Sequence, residues 1–430
     1  MNGSVWQNRA AALDHTLAFM QQQYAAAVDP MVNSTVKSIV ACLNAFGRSQ
    51  VRFFREGIAQ EKLQPSSLYP WDYVWQTLLT QVSYDAAVYQ QTADQRLHGS
   101  TDMLATLGKA DHLAQDALNL AVQSGMLPAS AALTYFNKSA NIHVIPYAPV
   151  AVVGVSFTAI TTPRDYLAVA HEVGHHVFRH TPGLAKKLYR ALPLDPPWRE
   201  PWLEEMFADV YGCLVAGPVL DLDFQDLMLD DSLEDFIGDD GEHPVEMARP
   251  YFYHAVLREL GFVQAAAALA ARWEAALLTR NDPQYFRAHG SGELVSRTEV
   301  KVALETAVPI LLHALKAARD IRQQDPARYW SQDLAAGEAP DLLYGRFDQW
   351  VQQNPKVTIA HLQEFGDDVG VVIGGSEPQN RRRKGAAQTW IDGLKSLSAT
   401  YQLPPAGWTQ ILSTGNWNVK GPDGDNGVKG

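Results

Sequence analysis

The sequence predicts a helix-rich α+β fold in which a small sheet and two paired helices form a core between helical flanks. Three observations lead there. Apolar residues recur at three- and four-residue steps near the start of the chain and again beyond residue 261. Two runs rich in Val and Ile stand close together between residues 142 and 157. Two helical segments with clear start and stop signals follow them. The expected organisation is a helical region over 1–127, a core over 128–262, a helical region over 263–412 and a flexible Gly-rich tail over 413–430. With 430 residues, 47% of them hydrophobic and only 19% charged, the chain can bury a large core and is not expected to be disordered over most of its length.

At the N-terminus, Val5, Leu13, Leu17, Met20 and Tyr24 mark one apolar helical face, and Val36, Ile39, Val40, Leu43 and Phe46 a second. These helices could form a cap over a cleft. The aromatic run Leu68 to Trp75 reads as core packing rather than as a substrate groove. Ile142 to Pro146 and Val150 to Phe157 read as strands, the second so apolar that it must be well covered. Next, Thr162 is placed as an N-cap, Pro163 at the first helical position and Asp165 as a variant capping box, opening a helix over Tyr166 to His180 that Thr181-Pro182-Gly183 stops. A second apolar-periodic helix runs from Pro201 through Gly212 and ends at Gly217-Pro218. Beyond Gly261 a further helix carries AAAALAARWEAALL. After a loop near His289 to Gly292, Ser296 and Glu299 form a capping box for a long helix reaching about Gln323.

The most informative residues lie on the first of the paired helices, at His171-Glu172-x-x-His175. Residues four apart lie one turn above each other, so both imidazoles can reach one metal ion. Glu172 is offset by one step, beside the position a water would take. Zn²⁺ lowers the pKa of such a water towards about 7, so a neighbouring carboxylate suffices as base. A third His six residues after His175 would complete one known zinc pattern, but that position is Thr181, and Phe178 stands where the pattern needs Gly. The second helix instead offers Glu205-x-x-x-Asp209.

With HExxH and a downstream ExxxD, residues 130–260 resemble the gluzincin zinc metallopeptidases, the thermolysin-like clan. The resemblance implies a zincin-like metallopeptidase core. It implies His171, His175 and Glu205 as ligands of Zn²⁺, Glu172 as general base, and Asp209 as hydrogen-bond partner of His171. Glu204 is the rival ligand, but its four-residue partner is Ala208. The segment His243-Pro244 to Arg249 looks like the His-Pro then Arg segment of some gluzincins, near the active site. His243 is nominated first, and Arg249 second, as donor to the oxyanion. Tyr251, Tyr253 and His254 are further donors nearby. Pro250, directly after Arg249, is expected to break or kink a helix there. The strand over Val150 to Phe157 is expected at a sheet edge, where the resemblance implies pairing with an extended substrate.

The resulting expectation is a zinc-dependent peptidase acting on a peptide or protein. The alternatives are a non-catalytic binding or scaffold protein of zincin fold, or a toxin or effector protease with one target. Substrate identity, cleavage position and oligomeric state are not legible. The net charge of −12 argues against nucleic acid as a partner. The acidity is local, since residues 221–246 hold eleven acids and no Lys or Arg. Leu220, Phe224, Leu227, Leu229, Leu233 and Phe236 suggest an amphipathic acidic helix there, favoured over a Ca²⁺ loop at Asp239 to Glu242. No apolar stretch reads as a membrane helix or a leader, so no membrane partner and a cytoplasmic location are expected. Cys42 and Cys213 are too few to imply a disulfide framework, and Cys213 reads as a small buried hydrophobe. The basic run Arg381 to Lys384 reads as a solvated loop.

Overall fold

The computed structural model of the chain describes residues 3–24, 71–127, 130–138, 140–143, 150–192, 200–324 and 332–353. Expectations for the helix over 36–46, Cys42, residues 68–70 and 144–149, the basic run at 381–384 and the tail over 413–430 lie outside these residues. The described residues divide into two units, one comprising 3–24, 71–100 and 150, the other those from 101 to 143 and from 151 to 353.

In the first unit, α1 (Gly3–Tyr24) packs on α2 (Trp71–His98). Leu17, Met20 and Tyr24 are buried as their spacing requires, and the Tyr24 ring meets Tyr89 edge-on at 6.2 Å. Its hydroxyl donates to Asp94 Oδ1 at 3.1 Å, which supplies the partner a buried phenol needs.

The second unit opens with α3 (Thr101–Gln123), which packs on a three-stranded sheet of β1 (Ala131–Asn137), β2 (Asn141–His143) and β3 (Val150–Ser156). The strand order is β1-β3-β2, with β2 antiparallel to β3 and Ile142 opposite Val153. β3 is therefore the central strand, which corrects the expected edge strand over 150–157. Its backbone groups serve two neighbours. β1 was not expected as a strand, because Ala131 to Phe136 are all buried and show no alternation. The outer edge of β1 is closed by α3. Gln115 Oε1 accepts the Ala132 amide at 2.9 Å, and Asp111 Oδ1 accepts the Thr134 amide at 2.8 Å. Buried side chains thereby satisfy backbone donors that a further strand would otherwise take.

Two 3₁₀ turns, Phe157–Ile160 and Pro163–Tyr166, lead from the sheet into α4 (Ala168–His180). The helix thus starts later than its sequence signals suggest. Thr162 makes no side-chain cap, and the Asp165 carboxylate is instead taken by the Thr158 hydroxyl. A short α5 (Leu184–Ala191) precedes α6 (Leu203–Ala216), which stops at Gly217 with φ of 71°. Gly217-Pro218 ends one helix and starts the next, α7 (Pro218–Asp230).

Helices α4 and α6 cross closely, and glycine permits it. A Cβ on Gly174 would lie 2.8 Å from Ala208 Cα, and one on Gly212 would lie 3.4 Å from the His171 backbone. Met206, Phe207, Val210 and Leu214 of α6 are completely buried. Each stabilises the fold by about 1.5–3 kcal/mol. The end of α6 is held from further along the chain: buried Arg322 donates to the carbonyls of Leu214 at 3.3 Å and Val215 at 2.5 Å. The last carbonyls of a helix lack internal partners, so a cation there is favourable.

The acidic segment forms α7 and a separate short α8 (Leu233–Phe236), capped by Ser232. Leu220, Phe224 and Phe236 are buried, but Leu227 is 60% exposed and Leu233 41%. The single amphipathic helix expected there is broken, because the chain turns at Asp231. Asp239 and Asp240 are engaged by the backbone around them. Asp239 accepts the amides of Gly241 and His289, and Asp240 those of Glu242 and His243.

Then follow α9 (Arg249–Leu260), α10 (Val263–Thr279) and the ribbon of β4 (Tyr285–Arg287) with β5 (Leu294–Ser296). After them come α11 (Arg297–Ala314), α12 (Lys316–Gln324) and α13 (Leu342–Gln353). Pro250 breaks nothing: it sits in the first turn of α9, where the missing N–H has no partner to lose. Ser296 does cap α11, accepting the Glu299 amide at 3.1 Å, but the expected long helix is interrupted at Leu315. Cys213 is buried, and burial pushes its thiol well above its ordinary range. No described helix is long and apolar enough to cross a membrane.

Candidate metal centre

The crossing of α4 and α6 brings His171 and His175 against Glu205. His171 Nε2 lies 3.1 Å from His175 Nε2 and 3.3 Å from Glu205 Oε2, and His175 Nε2 lies 3.2 Å from Glu205 Oε1. Ligand atoms about 2.1 Å from a tetrahedral zinc lie about 3.4 Å from one another, so this spacing suits such an ion. Among the described residues, this is the group of three that could hold a metal.

The far nitrogens of both rings face carboxylates. His171 Nδ1 is 3.0 Å from Asp209 Oδ1, close but outside good hydrogen-bond alignment. His175 Nδ1 is 2.9 Å from Glu204 Oε1, which also takes Arg179 Nε at 2.5 Å. A carboxylate at Nδ1 favours the proton there and leaves Nε2 with its lone pair free. Two such lone pairs and a carboxylate then converge on one point, an arrangement that can hold a metal ion.

The titration of these groups carries the same message. Burial opposes a charge on His171, but Asp209 and Glu205 outweigh it and push its pKa up to about 10. Burial likewise opposes ionisation of Glu205, and His171, Arg249 and His175 hold it far below the usual carboxylate range.

Arg249, from the first turn of α9, is 6% exposed and spans two of the three acids of α6, Glu205 and Asp209. Its Nε and Nη2 donate to Asp209 at 2.8 and 2.6 Å, and Nη2 also reaches Glu205 Oε2 at 3.1 Å. Tyr253, one turn on, donates its hydroxyl to Asp209 Oδ1 at 2.5 Å. The two residues meet one carboxylate because they are four apart on a helix. Of the other donors noted from the sequence, Tyr251 is bonded to Glu274 at 2.9 Å, and His254 is buried beside Asp221 and Gln225.

His243 is placed differently. Its side chain is 45% exposed, with Nδ1 2.6 Å from Asp240 Oδ2 and Nε2 3.6 Å from Glu205 Oε1. It stands at the solvent side of the ligand group. Glu172 is half-buried on α4 and, among the described residues, has no ion-pair or hydrogen-bond partner. Sequence reasoning weighed Glu204 only as a rival ligand and missed its contact with His175; its place directly before Glu205 was the only signal. The roles of Arg249 and Tyr253 beside Asp209 had no local signal beyond their own spacing. Comparison with protein-family models, with curated proteins and with solved structures returned no match.

Proposed function

We propose that this chain is a zinc-dependent peptidase, with the sheet, α4 and α6 as a zincin-like core. The observation that supports this most is the convergence of His171 Nε2, His175 Nε2 and the Glu205 carboxylate, each imidazole backed by a carboxylate, beside the unpaired Glu172. In this reading His171, His175 and Glu205 hold the ion. Zinc, when bound, lowers the pKa of water towards about 7 and polarises a carbonyl. Glu172 takes the proton from the attacking water and passes it to the leaving amine. His243 is the exposed donor nearest the ligands and stabilises the charge that develops on the carbonyl oxygen. Arg249, expected from the sequence as a second such donor, acts in this reading as a positioning residue, because its donors are engaged by Asp209 and Glu205.

The test is metal content by elemental analysis, with peptide-library cleavage, on wild type, Glu205→Ala and Glu172→Gln. The expected result is one zinc per chain in wild type and Glu172→Gln, loss of zinc in Glu205→Ala, and cleavage by wild type alone. Zinc without cleavage would make the chain a metal-holding binding protein, and absence of zinc from wild type would remove the metal centre.

A further inference from the structure

Three donors meet on one oxygen. Arg249 Nη2 at 2.6 Å, the Tyr253 hydroxyl at 2.5 Å and His171 Nδ1 at 3.0 Å all approach Asp209 Oδ1. A carboxylate oxygen offers about two lone-pair sites, so the two shorter contacts fill it and the histidine keeps the loosest of the three. The His171 contact is also the poorly aligned one. Rotation of an imidazole about its last side-chain torsion is soft, with two broad wells. A half-turn would exchange Nδ1 with a ring carbon and carry Nε2 away from His175 and Glu205. Asp209 alone therefore does not set the plane of this ring.

Phe224 of α7 lies against all three donors. Its ring centroid is 5.3 Å from that of His171 and 5.5 Å from that of Tyr253, each at an interplanar angle of 49°. Arg249 Cζ lies 5.3 Å from the same centroid, within reach of a cation–π contact. All four side chains are buried. The ring arrives there on one face of α7. Leu220, one turn earlier, packs over Gly212 beside the His171 backbone, and Phe224 packs on the His171 ring. With His243 and Arg249, Phe224 also borders a cavity of about 510 Å³, so a smaller side chain would open that space onto His171.

We propose that Phe224 is a positioning residue of the metal centre: its ring holds the His171 imidazole in the orientation that turns Nε2 towards His175 and Glu205, and supports Arg249 and Tyr253 against Asp209. Phe224 offers no ligand atom, so its effect reaches an ion only through His171. A leucine or methionine in its place remains apolar but presents no flat face to the imidazole. The consequence for metal binding rests on the zinc site proposed above, whereas the hold on the imidazole does not.

The test uses full-length wild type, Phe224→Leu, Phe224→Met and, as a control, Phe236→Leu, which loses a buried ring packed against Trp273 rather than against a candidate ligand. Zinc affinity is measured by competition with a chelator. The Nδ1 proton of His171 is followed by NMR in metal-free protein with isotope-labelled imidazoles. The expected result is a resolved Nδ1 proton in wild type and Phe236→Leu that broadens beyond detection in both Phe224 variants. Zinc affinity should fall about 10–100-fold in those two and stay unchanged in Phe236→Leu. Phe224→Met keeps most of the volume, so it carries the test if Phe224→Leu does not fold. A resonance or an affinity that Phe224→Met leaves as in wild type overturns the assignment, as does an equal loss of affinity in Phe236→Leu or the absence of the resonance from wild type. If wild type takes up no zinc, the metal reading fails, and the resonance alone decides whether Phe224 holds the ring.

Discussion

Arg249 grips Asp209 with two parallel hydrogen bonds, Nε to Oδ2 at 2.8 Å and Nη2 to Oδ1 at 2.6 Å, at a site closed to solvent. Burial resists ionisation of Asp209, but Arg249 and His171 hold its carboxyl below the usual range. The carboxylate that faces His171 is thus kept charged by a residue forty positions further along the chain.

Removing one partner of such a pair strands the other. Arg249→Ala and Asp209→Asn should each destabilise the protein by about 3–5 kcal/mol, and Arg249→Lys should not restore the two-pronged geometry. Asp221 is the control, because it is equally buried but no described Lys or Arg pairs with it, and burial raises its carboxyl well above the usual range. Asp221→Asn should therefore stay within about 1 kcal/mol of wild type. Urea unfolding at pH 7 compares them, and equal costs at positions 209 and 221 would contradict this account.

Glu204 is an acid held below the ordinary range against burial by His175 and Arg179. Glu204→Gln keeps an acceptor for His175 Nδ1 but loses the charge that makes the ring a better ligand. Zinc affinity, measured by competition with a chelator, should fall by about 10–100-fold while the fold is retained. Unchanged affinity would make the Glu204–His175 contact incidental.

With its pKa near 10 in the metal-free protein, His171 holds a proton that a metal must displace. Apparent zinc affinity should rise by about tenfold per pH unit from pH 6.5 to about 9, with one proton released per ion. The stability of the metal-free protein should run the other way. The unfolded imidazole titrates at 6.5, so the stabilisation from the bound proton is complete below pH 6.5 and is lost as pH rises through about 10. Calorimetry in two buffers of different ionisation enthalpy counts the proton, and a count of zero would sink the scheme.

Gly174 lies between the two candidate ligand histidines, where a Cβ would meet the α6 backbone at 2.8 Å. Gly174→Ala should force α4 and α6 apart, destabilise the fold by about 1–3 kcal/mol and weaken zinc binding. Gly212→Ala should be milder in both, since its nearest obstacle is the end of the Leu220 side chain. Thermal unfolding and zinc titration together would expose the opposite order.

Much of the centre was legible because it is written as pairs four residues apart. His171 with His175 and Glu205 with Asp209 each place two side chains on one helical face. The Ser296 cap and the Gly217-Pro218 boundary were local signals of the same kind. What failed depended on neighbours. The strand over 150–156 proved central because β1, buried throughout and without alternation, pairs beside it. Asp165 did not cap its helix because Thr158 takes its carboxylate.

The sequence by itself determined which residues share a helical face, since backbone geometry sets side-chain direction within one element. It therefore supplied the candidate ligands and the candidate base. Only the tertiary structure decided that Glu205 faces both histidines while Glu204 serves the far side of His175. It also decided that Arg249 closes on Asp209 and that a cavity opens next to them. Those relations depend on which helices touch and at what distance, and here that is set by packing, above all by a glycine that lets α4 rest directly on the backbone of α6.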